Sequence, residues 1–337
     1  MSVTTKGING SQMTLVTEGE KPPFTVLIAG PTASGKTALS LKIAEALDAV
    51  VVNADSMQIY RDLSILSARP NADEMAQAKH VLFGHVGCDE PYNVMRWVEE
   101  FSREYVLAQE QQRPVVVVGG TGLYFKAACE GFSLMPDIDS RIRQYWRDFS
   151  QDCTEGALYE ALQQRDEVMA ARLHAGDTQR LVRALEVIDS TGQSLSYWQQ
   201  TKSKPILNVE ECQRVILAPE RSVLHERIHQ RFDSMLALGA VDEAVALWSR
   251  PIARHLPIMK AIGVAQLAQA HARELSFEEA ITKAKTETRR YAKRQMTFFK
   301  GQLSGWPMLD PLDKVAADGF VKQILALYQV GNPSGSL

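Results

Sequence analysis

The chain has 337 residues, of which 45% are hydrophobic and 23% charged, and its formal net charge at pH 7 is −3. This is the composition of a globular protein with a sizeable core, and the length indicates two domains or one domain with a large insertion. No apolar run approaches the ~20 residues that a membrane-spanning helix needs. Because the net charge is negative, a nucleic-acid partner would have to be bound by a local basic patch.

The cysteines and the two ends of the chain bear on the compartment. The four cysteines are scattered and form no C-x-x-C pair, which is typical of a reduced cytosolic protein and not of a disulfide framework or a zinc site. Residues 1–23 are polar and lack the apolar segment of a signal peptide. We therefore predict a cytoplasmic protein with disordered tails at 1–23 and 329–337.

A phosphate-binding loop follows the first predicted strand. Residues 30–37 read G-P-T-A-S-G-K-T, which matches the pattern G-x-x-x-x-G-K-[ST]. A buried apolar strand at 26–29 precedes the loop, and a helix with apolar residues at helical spacing follows it at 38–47. Such a loop binds a di- or triphosphate through its backbone amides, its lysine and a Mg²⁺ ion held by its last hydroxyl, here Thr37. The predicted phosphate-binding residues are Gly30, Thr32, Ala33, Ser34, Gly35, Lys36 and Thr37.

Strands and helices alternate up to about residue 135. The predicted elements are strands at 49–54, 80–86 and 115–118 and a helix at 93–112. The continuous β-branched run at 115–118 is typical of a central strand of a parallel sheet, buried on both faces. The alternation predicts an α/β fold with a doubly wound parallel sheet of the P-loop type.

The pattern changes near Pro136. From 139 to 200 only helical periodicity is found, which predicts a helical insertion at 136–204 within a core formed by 24–135 and 205–328. A strand at 215–218 resumes the sheet, and the C-terminal part is mostly helical. Ser276 and Glu279 form a capping-box pattern at the start of its longest helix. The predicted helices are at 139–149, 155–165, 177–190, 222–238, 241–248 and from 276 onward.

The residues around the loop favour pyrophosphate as a leaving group. Asp55 is the carboxylate that follows a strand near the loop, whereas the strand at 115–118 ends in Gly-Gly-Thr. Phosphoryl-transferring P-loop enzymes usually have an Asp at that position. Loop amides, Lys36, Thr121 and a further arginine would stabilise a departing pyrophosphate, and Asp55 would activate the acceptor as a base.

Two basic clusters indicate RNA binding. Between residues 283 and 300 there are seven Lys or Arg residues against one acid, with aromatic residues between them. Arg180 and Arg183 lie three apart on one face of a predicted helix. Proteins that bind single-stranded RNA use such positive tracks with stacking groups. The alternatives are a solvated helix face with an aromatic core stripe for the first cluster and ordinary surface charge for the second.

Together these residues resemble the tRNA dimethylallyltransferases, also called tRNA isopentenyltransferases, from about residue 24 to 306. The P-loop alone is shared with many enzymes, but the whole series in this order is specific. The motifs are G-P-T-A-S-G-K-T at 30–37, D-S-x-Q-x-Y at 55–60, A-R-P at 68–70, V-G-G-T-G-L-Y at 118–124, D-x-Q-R-L-x-R-A-L-E-V at 177–187, R-I-x-x-R-F-x-x-M-L at 227–236, A-I-G at 261–263 and T-R-x-Y-A-K-R-Q at 288–295.

The resemblance implies transfer of the dimethylallyl group of dimethylallyl diphosphate to N6 of the adenosine 3′-adjacent to the anticodon, in tRNAs that read codons beginning with U. It implies a P-loop-kinase-like core, a helical insertion that grips the anticodon loop, and assistance by Mg²⁺. In this family pattern Asp55 takes the proton of the adenine amino group. Thr121 bonds the bridging oxygen of the diphosphate, and Lys36, Arg227 and the loop amides hold the leaving pyrophosphate.

The resemblance and the basic clusters also predict where tRNA binds. Departures from the family pattern at Val264 and Ala265 remove an aromatic and a basic residue from one of these stretches. We expect a monomer that binds tRNA and dimethylallyl diphosphate and no membrane. The predicted tRNA-binding residues are Asp55, Ser56, Met57, Gln58, Thr121, Arg143, Gln179, Arg180, Leu181, Val182, Arg183, Lys260, Ala261, Ile262, Gly263, Val264, Ala265, Arg289, Lys293 and Arg294.

Other functions remain open at this point. An adenylate isopentenyltransferase, which prenylates free AMP or ADP, would not need the long helical insertion or the basic C-terminal helix. A P-loop metabolite kinase would transfer phosphate from ATP and no prenyl group. A non-catalytic RNA-binding module would not need Asp55, Lys36 and Thr121.

Overall fold

The computed structural model describes residues 4–6, 12–14, 22–133, 135 and 137–331. Most of the predicted tail at 1–23, much of the tail at 329–337, and Pro136, where the insertion was predicted to begin, lie outside these described residues. The described residues form two compact units: an α/β unit that contains 12–14, 22–129 and 206–331, and a helical unit that contains 130–133, 135 and 137–205.

Eight strands occur in the described residues, and six of them form one sheet. The sheet order is β5-β4-β6-β3-β7-β8, and every neighbouring pair is parallel. This confirms the predicted α/β fold with a parallel sheet. The strands are β1 (Thr4–Lys6), β2 (Gln12–Thr14), β3 (Thr25–Ala29), β4 (Val50–Asn53), β5 (Lys79–Val81), β6 (Val115–Gly119), β7 (Gln213–Leu217) and β8 (Met308–Leu309).

Helices make up most of the remaining described chain. None of the helices in the described residues is long and apolar enough to cross a membrane. The α-helices are α1 (Lys36–Leu47), α2 (Ala72–Ala76), α3 (Val94–Glu110), α4 (Gly122–Glu130), α5 (Ser140–Asp152), α6 (Ala157–Arg165), α7 (Glu167–Ala170), α8 (Thr178–Thr191), α9 (Leu195–Gln200), α10 (Arg221–Ala237), α11 (Ala240–Trp248), α12 (Val264–His271), α13 (Phe277–Gln302) and α14 (Lys314–Gly331).

Most predicted elements are found within a few residues of their expected bounds, but the strand predicted at 80–86 is present only as the shorter β5. β5 ends at Val81 because the backbone turns there: Leu82 and Gly84 have φ of 63° and 56°, a conformation that cannot continue a strand. Val86 forms only an isolated bridge with Tyr60, outside the named strands. β8, whose two residues are too few to show a strand period, was missed.

The core of the α/β unit lies against the central strands. β6 pairs with both β3 and β4 and is buried along its whole length, as predicted for a β-branched central strand. Side chains of α1 and α14 pack on the sheet with it, among them Leu39, Ile43 and Ile324. The capping box predicted at Ser276 and Glu279 is present at the start of α13, and Asn93 caps the start of α3 by accepting the Arg96 amide.

The helical unit has its own core. Trp146 of α5 is 1% exposed and packs with Leu162 of α6 and Leu181 and Leu185 of α8. The Trp146 indole N–H donates to Asp189 Oδ2 at 2.9 Å, so its polar edge is satisfied within the unit. This unit is helical as predicted, and one isolated bridge, between Ser133 and Lys202, closes its base.

The register of the sheet aligns the strand ends that carry the predicted site. Ala29 at the end of β3 lies opposite Gly119 at the end of β6, and Asn53 at the end of β4 lies opposite Val118. The P-loop, Asp55 and the Gly-Gly-Thr turn therefore leave the sheet at one edge. The carboxyl ends of parallel strands are where open α/β sheets bind their ligands.

A substitution at Gly119 tests this alignment, because the backbone of Gly119 lies so close to Ala54, directly after β4, that no side chain fits between them. A Cβ placed on Gly119 would lie 2.0 Å from the Ala54 carbonyl oxygen. We expect Gly119→Ala to lower the free energy of unfolding by about 1–3 kcal/mol through overpacking. Urea unfolding measures this. The matched control is Gly319→Ala in α14, where a Cβ meets nothing within 4 Å; equal midpoints for the two variants would contradict the close approach.

Candidate functional site

The P-loop lies directly before α1, and anion binding there remains a prediction. Gly35 caps the helix with φ of 91°, and a Cβ placed on it would lie 3.6 Å from Nη2 of Arg227 on α10. The positive φ explains the glycine, since the contact with Arg227 would leave room for a Cβ. The Thr32 amide donates to Gln295 Oε1 at 3.0 Å. Thr32 therefore has no free backbone donor for a phosphate, which corrects that part of its predicted role.

Lys36 lies inside the cradle with its charge poorly solvated. Its ammonium donates to the Pro31 carbonyl at 2.7 Å. Burial lowers the pKa of Lys36 to about 8, while Asp55 acts in the opposite direction and Arg231 adds to the lowering. An anion bound in the loop would supply the counter-charge that this ammonium lacks.

Asp55 follows β4 in a turn that orients its carboxylate. Its Oδ1 accepts the Met57 amide at 2.9 Å. Its own amide donates to the side chain of Asn53 at 2.8 Å, and Asn53, fully buried, also donates to the Asp55 and Leu82 carbonyls. The second oxygen, Oδ2, lies 3.2 Å from the position of a Cβ on Gly120. One carboxylate oxygen thus holds the turn, and the other faces the Gly-Gly-Thr segment.

The Thr121 hydroxyl is held beside this carboxylate. Its Oγ1 accepts the Ser56 amide at 2.9 Å, and its backbone amide donates to the Ala54 carbonyl at 3.0 Å. Since the oxygen is occupied as an acceptor, the hydroxyl proton is available to donate. The geometry therefore joins Asp55 and Thr121, two of the predicted catalytic residues, through one backbone segment.

A cavity of about 270 Å³ opens beside these groups. Its polar lining includes Asp55, Arg231 and Lys260, and its apolar lining includes Ile228 and Phe232. Several predicted tRNA-binding residues meet here, from segments far apart in the sequence. They are Asp55, Ser56, Met57, Lys260, Ala261, Ile262 and Arg294.

Arg231 is a residue of this cavity to which the sequence analysis assigned no role. Its guanidinium donates to the Ala68 carbonyl at 3.4 Å, and no ion pair joins it to a carboxylate in the described part of the chain. Burial lowers its pKa, with Asp55 and Glu74 opposing and Arg227 adding to the effect. Arg227 and Arg231 are four residues apart on α10, so the helix directs two cations at the site.

Helix α13 lines the other side with Thr288, Tyr291 and Arg294. Burial raises the pKa of Tyr291, and Asp55 raises it further, so its phenol stays protonated at neutral pH. Gln295, 5% exposed, bonds both the P-loop and the Gly120 carbonyl. Its place as the last residue of the motif Y-A-K-R-Q at 291–295 is the sequence signal that could have identified it as a site residue.

Two predicted tRNA contacts are wrong as side-chain contacts. Leu181 on α8 and Val264 at the start of α12 are both 0% exposed and belong to the cores of their units. Gln58 lines a smaller cavity beside Lys36 and donates to the Ser67 and Ala68 carbonyls at 3.1 and 3.0 Å. Its amide therefore fixes the loop that follows it.

The two arginines of α8 differ in their surroundings. The Arg180 side chain is 73% exposed and pairs with Asp177 at 3.1 Å. The Arg183 side chain is 39% exposed and pairs at 3.2 Å with Glu186, which is 6% exposed and also lies 3.8 Å from Arg147. Arg183 thus compensates a buried carboxylate, whereas Arg180 presents its charge to solvent. Arg143 on α5 is half-buried.

The family model for IPP transferases matches residues 58–302. The chain belongs to the IPP transferase family. Among curated relatives of this IPP transferase, the tRNA dimethylallyltransferase of Chelativorans sp. (strain BNC1) is 46% identical over 278 residues, which is 82% of this chain and 95% of the relative. That of Beijerinckia indica subsp. indica is 46% identical over 286 residues, 85% of this chain and 95% of the relative.

Solved structures show the same fold as this IPP transferase. The full-length tRNA isopentenylpyrophosphate transferase of Bacillus halodurans is 31% identical with a TM-score of 0.62, covering 91% of this chain and 99% of that chain. A eukaryotic dimethylallyltransferase acting on tRNA has a TM-score of 0.73 at 24% identity, covering 92% of this chain and 79% of that chain. The latter bears on the fold alone.

The lowered pKa of Lys36 makes anion binding dependent on pH. Lys36 loses its proton above about pH 8 in the free protein, and a bound anion stabilises the protonated form. We therefore expect the Kd for pyrophosphate to rise by up to about tenfold per pH unit above that value. Calorimetric titration from pH 7 to 9.5 measures it.

The matched control for this prediction is Lys36→Arg, because a guanidinium keeps its charge throughout this range. The ionisation of pyrophosphate is common to both proteins and cancels in the ratio of their Kd values. The Kd of the wild type divided by the Kd of Lys36→Arg should increase with pH. A constant ratio would show that Lys36 does not titrate in this range.

Proposed function

We propose that this chain is a tRNA dimethylallyltransferase, which transfers the dimethylallyl group of dimethylallyl diphosphate to N6 of the adenosine 3′-adjacent to the anticodon in tRNAs reading codons that begin with U. The observation that carries the proposal is the convergence of Asp55, Thr121 and the P-loop at one edge of the sheet. A base, a hydroxyl donor and an anion cradle are what this transfer needs. The similarity to the tRNA dimethylallyltransferases of Chelativorans sp. and Beijerinckia indica supports the same reaction.

The proposed reaction forms one bond and breaks one. The N6 nitrogen attacks C1 of the dimethylallyl group, and the bond between C1 and the bridging oxygen breaks with its electron pair leaving on pyrophosphate. Asp55 accepts the N6 proton. Thr121 donates to the bridging oxygen as its charge develops, an interaction strongest in the transition state.

The leaving pyrophosphate would be stabilised by cations that already surround the loop. Lys36 lies in the cradle, and Arg227 lies beside Gly35. We assign Arg231 to the same role because it lines the cavity together with Asp55 and lies one helical turn from Arg227 on α10. The apolar lining by Ile228 and Phe232 suits an isoprenoid chain and the face of a base.

The residues also fit a Mg²⁺ ion that arrives with the diphosphate. No cluster of three or more His, Cys, Asp or Glu that could hold a metal occurs in the described residues, so protein carboxylates alone do not form the site. Thr37 beside Lys36 supplies a hydroxyl, and the diphosphate supplies the other hard oxygen ligands that Mg²⁺ prefers. The bound ion would neutralise charge on the leaving group.

Recognition of the tRNA is proposed to use both units. In the helical unit, the exposed Arg180 and Gln179 at the start of α8 would contact the anticodon loop. In the α/β unit, Lys260 and Arg294 line the cavity that Asp55 also lines, and Arg289 and Lys293 add positive charge on α13, the helix that carries Arg294. The adenosine must leave the loop stack to reach Asp55.

The deciding experiment uses purified protein, Mg²⁺ and radiolabelled dimethylallyl diphosphate, with three acceptors offered separately. These are unmodified tRNA, an anticodon stem-loop with an A-rich loop, and AMP. We expect label in the tRNA and the stem-loop and none in AMP. Label in AMP alone would identify an adenylate isopentenyltransferase. No label anywhere, with phosphate transferred from ATP to a metabolite, would contradict the proposal.

Asp55→Asn separates the base from the turn that it holds. Asparagine keeps an oxygen to accept the Met57 amide but cannot take the N6 proton. We expect kcat to fall by about 10²–10⁴-fold, with the Kd for tRNA changed by no more than about twofold, because a base acts mainly in the transition state. Filter binding and single-turnover assays measure the two. A parallel loss of tRNA affinity would make Asp55 a recognition residue.

Arg180→Glu tests the RNA surface of the helical unit without disturbing its core. We expect weaker tRNA binding and a salt slope of log Kd reduced by about one. Arg183→Glu should instead lower the melting temperature, because it leaves Glu186 facing a second carboxylate. Lys322→Glu on α14 is the control for the change in net charge. Equal salt slopes for Arg180→Glu and Lys322→Glu would remove Arg180 from the interface.

A further inference from the structure

The side-chain amide of Gln295 joins the two loops that follow the neighbouring strands β3 and β6. Its Nε2 donates to the Gly120 carbonyl at 2.9 Å, and its Oε1 accepts the Thr32 amide at 3.0 Å. Gly120 precedes the hydroxyl donor Thr121, and Thr32 lies in the P-loop. Since Gln295 is 5% exposed, neither bond is replaced by bulk water.

Both bonds require an amide and no other natural side chain supplies them in the same shape. One end must donate to a carbonyl, and the other must accept from an N–H. The space is also fully used, because a Cβ placed on Gly120 would lie 2.2 Å from Gln295 Nε2. The amide therefore sets the separation between the P-loop and the Gly-Gly-Thr turn.

We infer that Gln295 is a positioning residue for the transfer reaction, and this inference rests on the proposed function. Its amide is occupied by the two loop contacts, and it lines neither of the two cavities described above. By holding Thr32 and Gly120 at a fixed separation, it places the Thr121 hydroxyl at the bridging oxygen of a diphosphate bound in the P-loop. The Gln295 amide thus sets the distance between the Thr121 hydroxyl and a diphosphate in the P-loop. A small error in that distance would lower the rate at which the C–O bond breaks.

Two variants separate positioning from folding. Gln295→Met is of similar length and uncharged and loses both bonds. We expect its kcat to fall about 100-fold, and its Kd for pyrophosphate to rise about fivefold, the worth of one neutral hydrogen bond to the loop. Its Kd for tRNA should stay near that of the wild type. Gln302→Met is the matched control on the same helix, where the side chain is exposed, and it should retain full activity.

Gln295→Glu gives a signature that a purely structural role does not. Its carboxyl group would accept from Thr32 in either form, but it can donate to Gly120 only when protonated. Burial beside the Gly120 carbonyl and near Asp55 favours the protonated form. Activity relative to the wild type should therefore rise as the pH is lowered from 8.5 to 6, whereas that of Gln295→Met should stay constant.

Normalisation to the wild type removes other titrations from this comparison. The charged groups on the surrounding elements are Asp55 after β4, Lys36 in the P-loop, Arg227 and Arg231 on α10, and Arg294 on α13 itself, and all of them are common to the proteins compared. Thermal melting of each variant is measured at each pH, so that loss of folded protein is corrected for.

The outcomes are decisive in either direction. A kcat of Gln295→Met within twofold of the wild type, or a flat activity ratio for Gln295→Glu, would overturn the inference. The inference would also be overturned if kcat, tRNA affinity and melting temperature of Gln295→Met all fell in proportion, because the loss would then be one of folding. If the wild type transfers no prenyl group, the proposed function fails and the bridge is judged on pyrophosphate binding alone. An unchanged pyrophosphate Kd in Gln295→Met would then overturn it.

Discussion

Backbone approach between β4 and β6 is the constraint on which the site depends. Gly119 passes so close to Ala54 that no side chain fits between them, and the Ala54 carbonyl then accepts the Thr121 amide. The Ser56 amide in turn donates to the Thr121 hydroxyl. Since these contacts join backbone to backbone or to a short side chain, the position of the hydroxyl relative to the base follows from the sheet, and its position relative to the P-loop depends in addition on Gln295.

Charge in the site is unbalanced in a way that a diphosphate would correct. Lys36, Arg227 and Arg231 converge on the loop and the cavity, and Asp55 is the carboxylate that opposes them. Keeping cations poorly solvated costs free energy in the free protein, as the lowered pKa of Lys36 shows. A bound diphosphate removes that cost, and the same cations stabilise the additional charge that pyrophosphate gains when the C–O bond breaks.

The sequence predicts local features well and long-range contacts poorly. The P-loop, the central strand β6 and the caps at Asn93 and Ser276 follow from nearest-neighbour chemistry and side-chain period, and all are present. The roles of Gln295 and Arg231 depend on how α13 and α10 approach the sheet, which no local pattern encodes. The strand predicted at 80–86 is too long because Leu82 and Gly84 have positive φ, which the apolar pattern of the segment does not reveal.

The departures from the family pattern at 264 and 265 acquire a different meaning in the structure. Val264 is fully buried, so its replacement of an aromatic residue is a change in core packing and removes no side-chain surface for RNA. The segment is instead fixed by its neighbour Gln266, which accepts the Gly263 amide at 2.9 Å and donates to Glu287 of α13 at 2.7 Å. The position of Lys260, Ala261 and Ile262 on the cavity is therefore tied to α13, the helix that also carries Gln295 and the basic residues. One helix thus sets both the spacing of the reacting groups and the placement of the cavity wall.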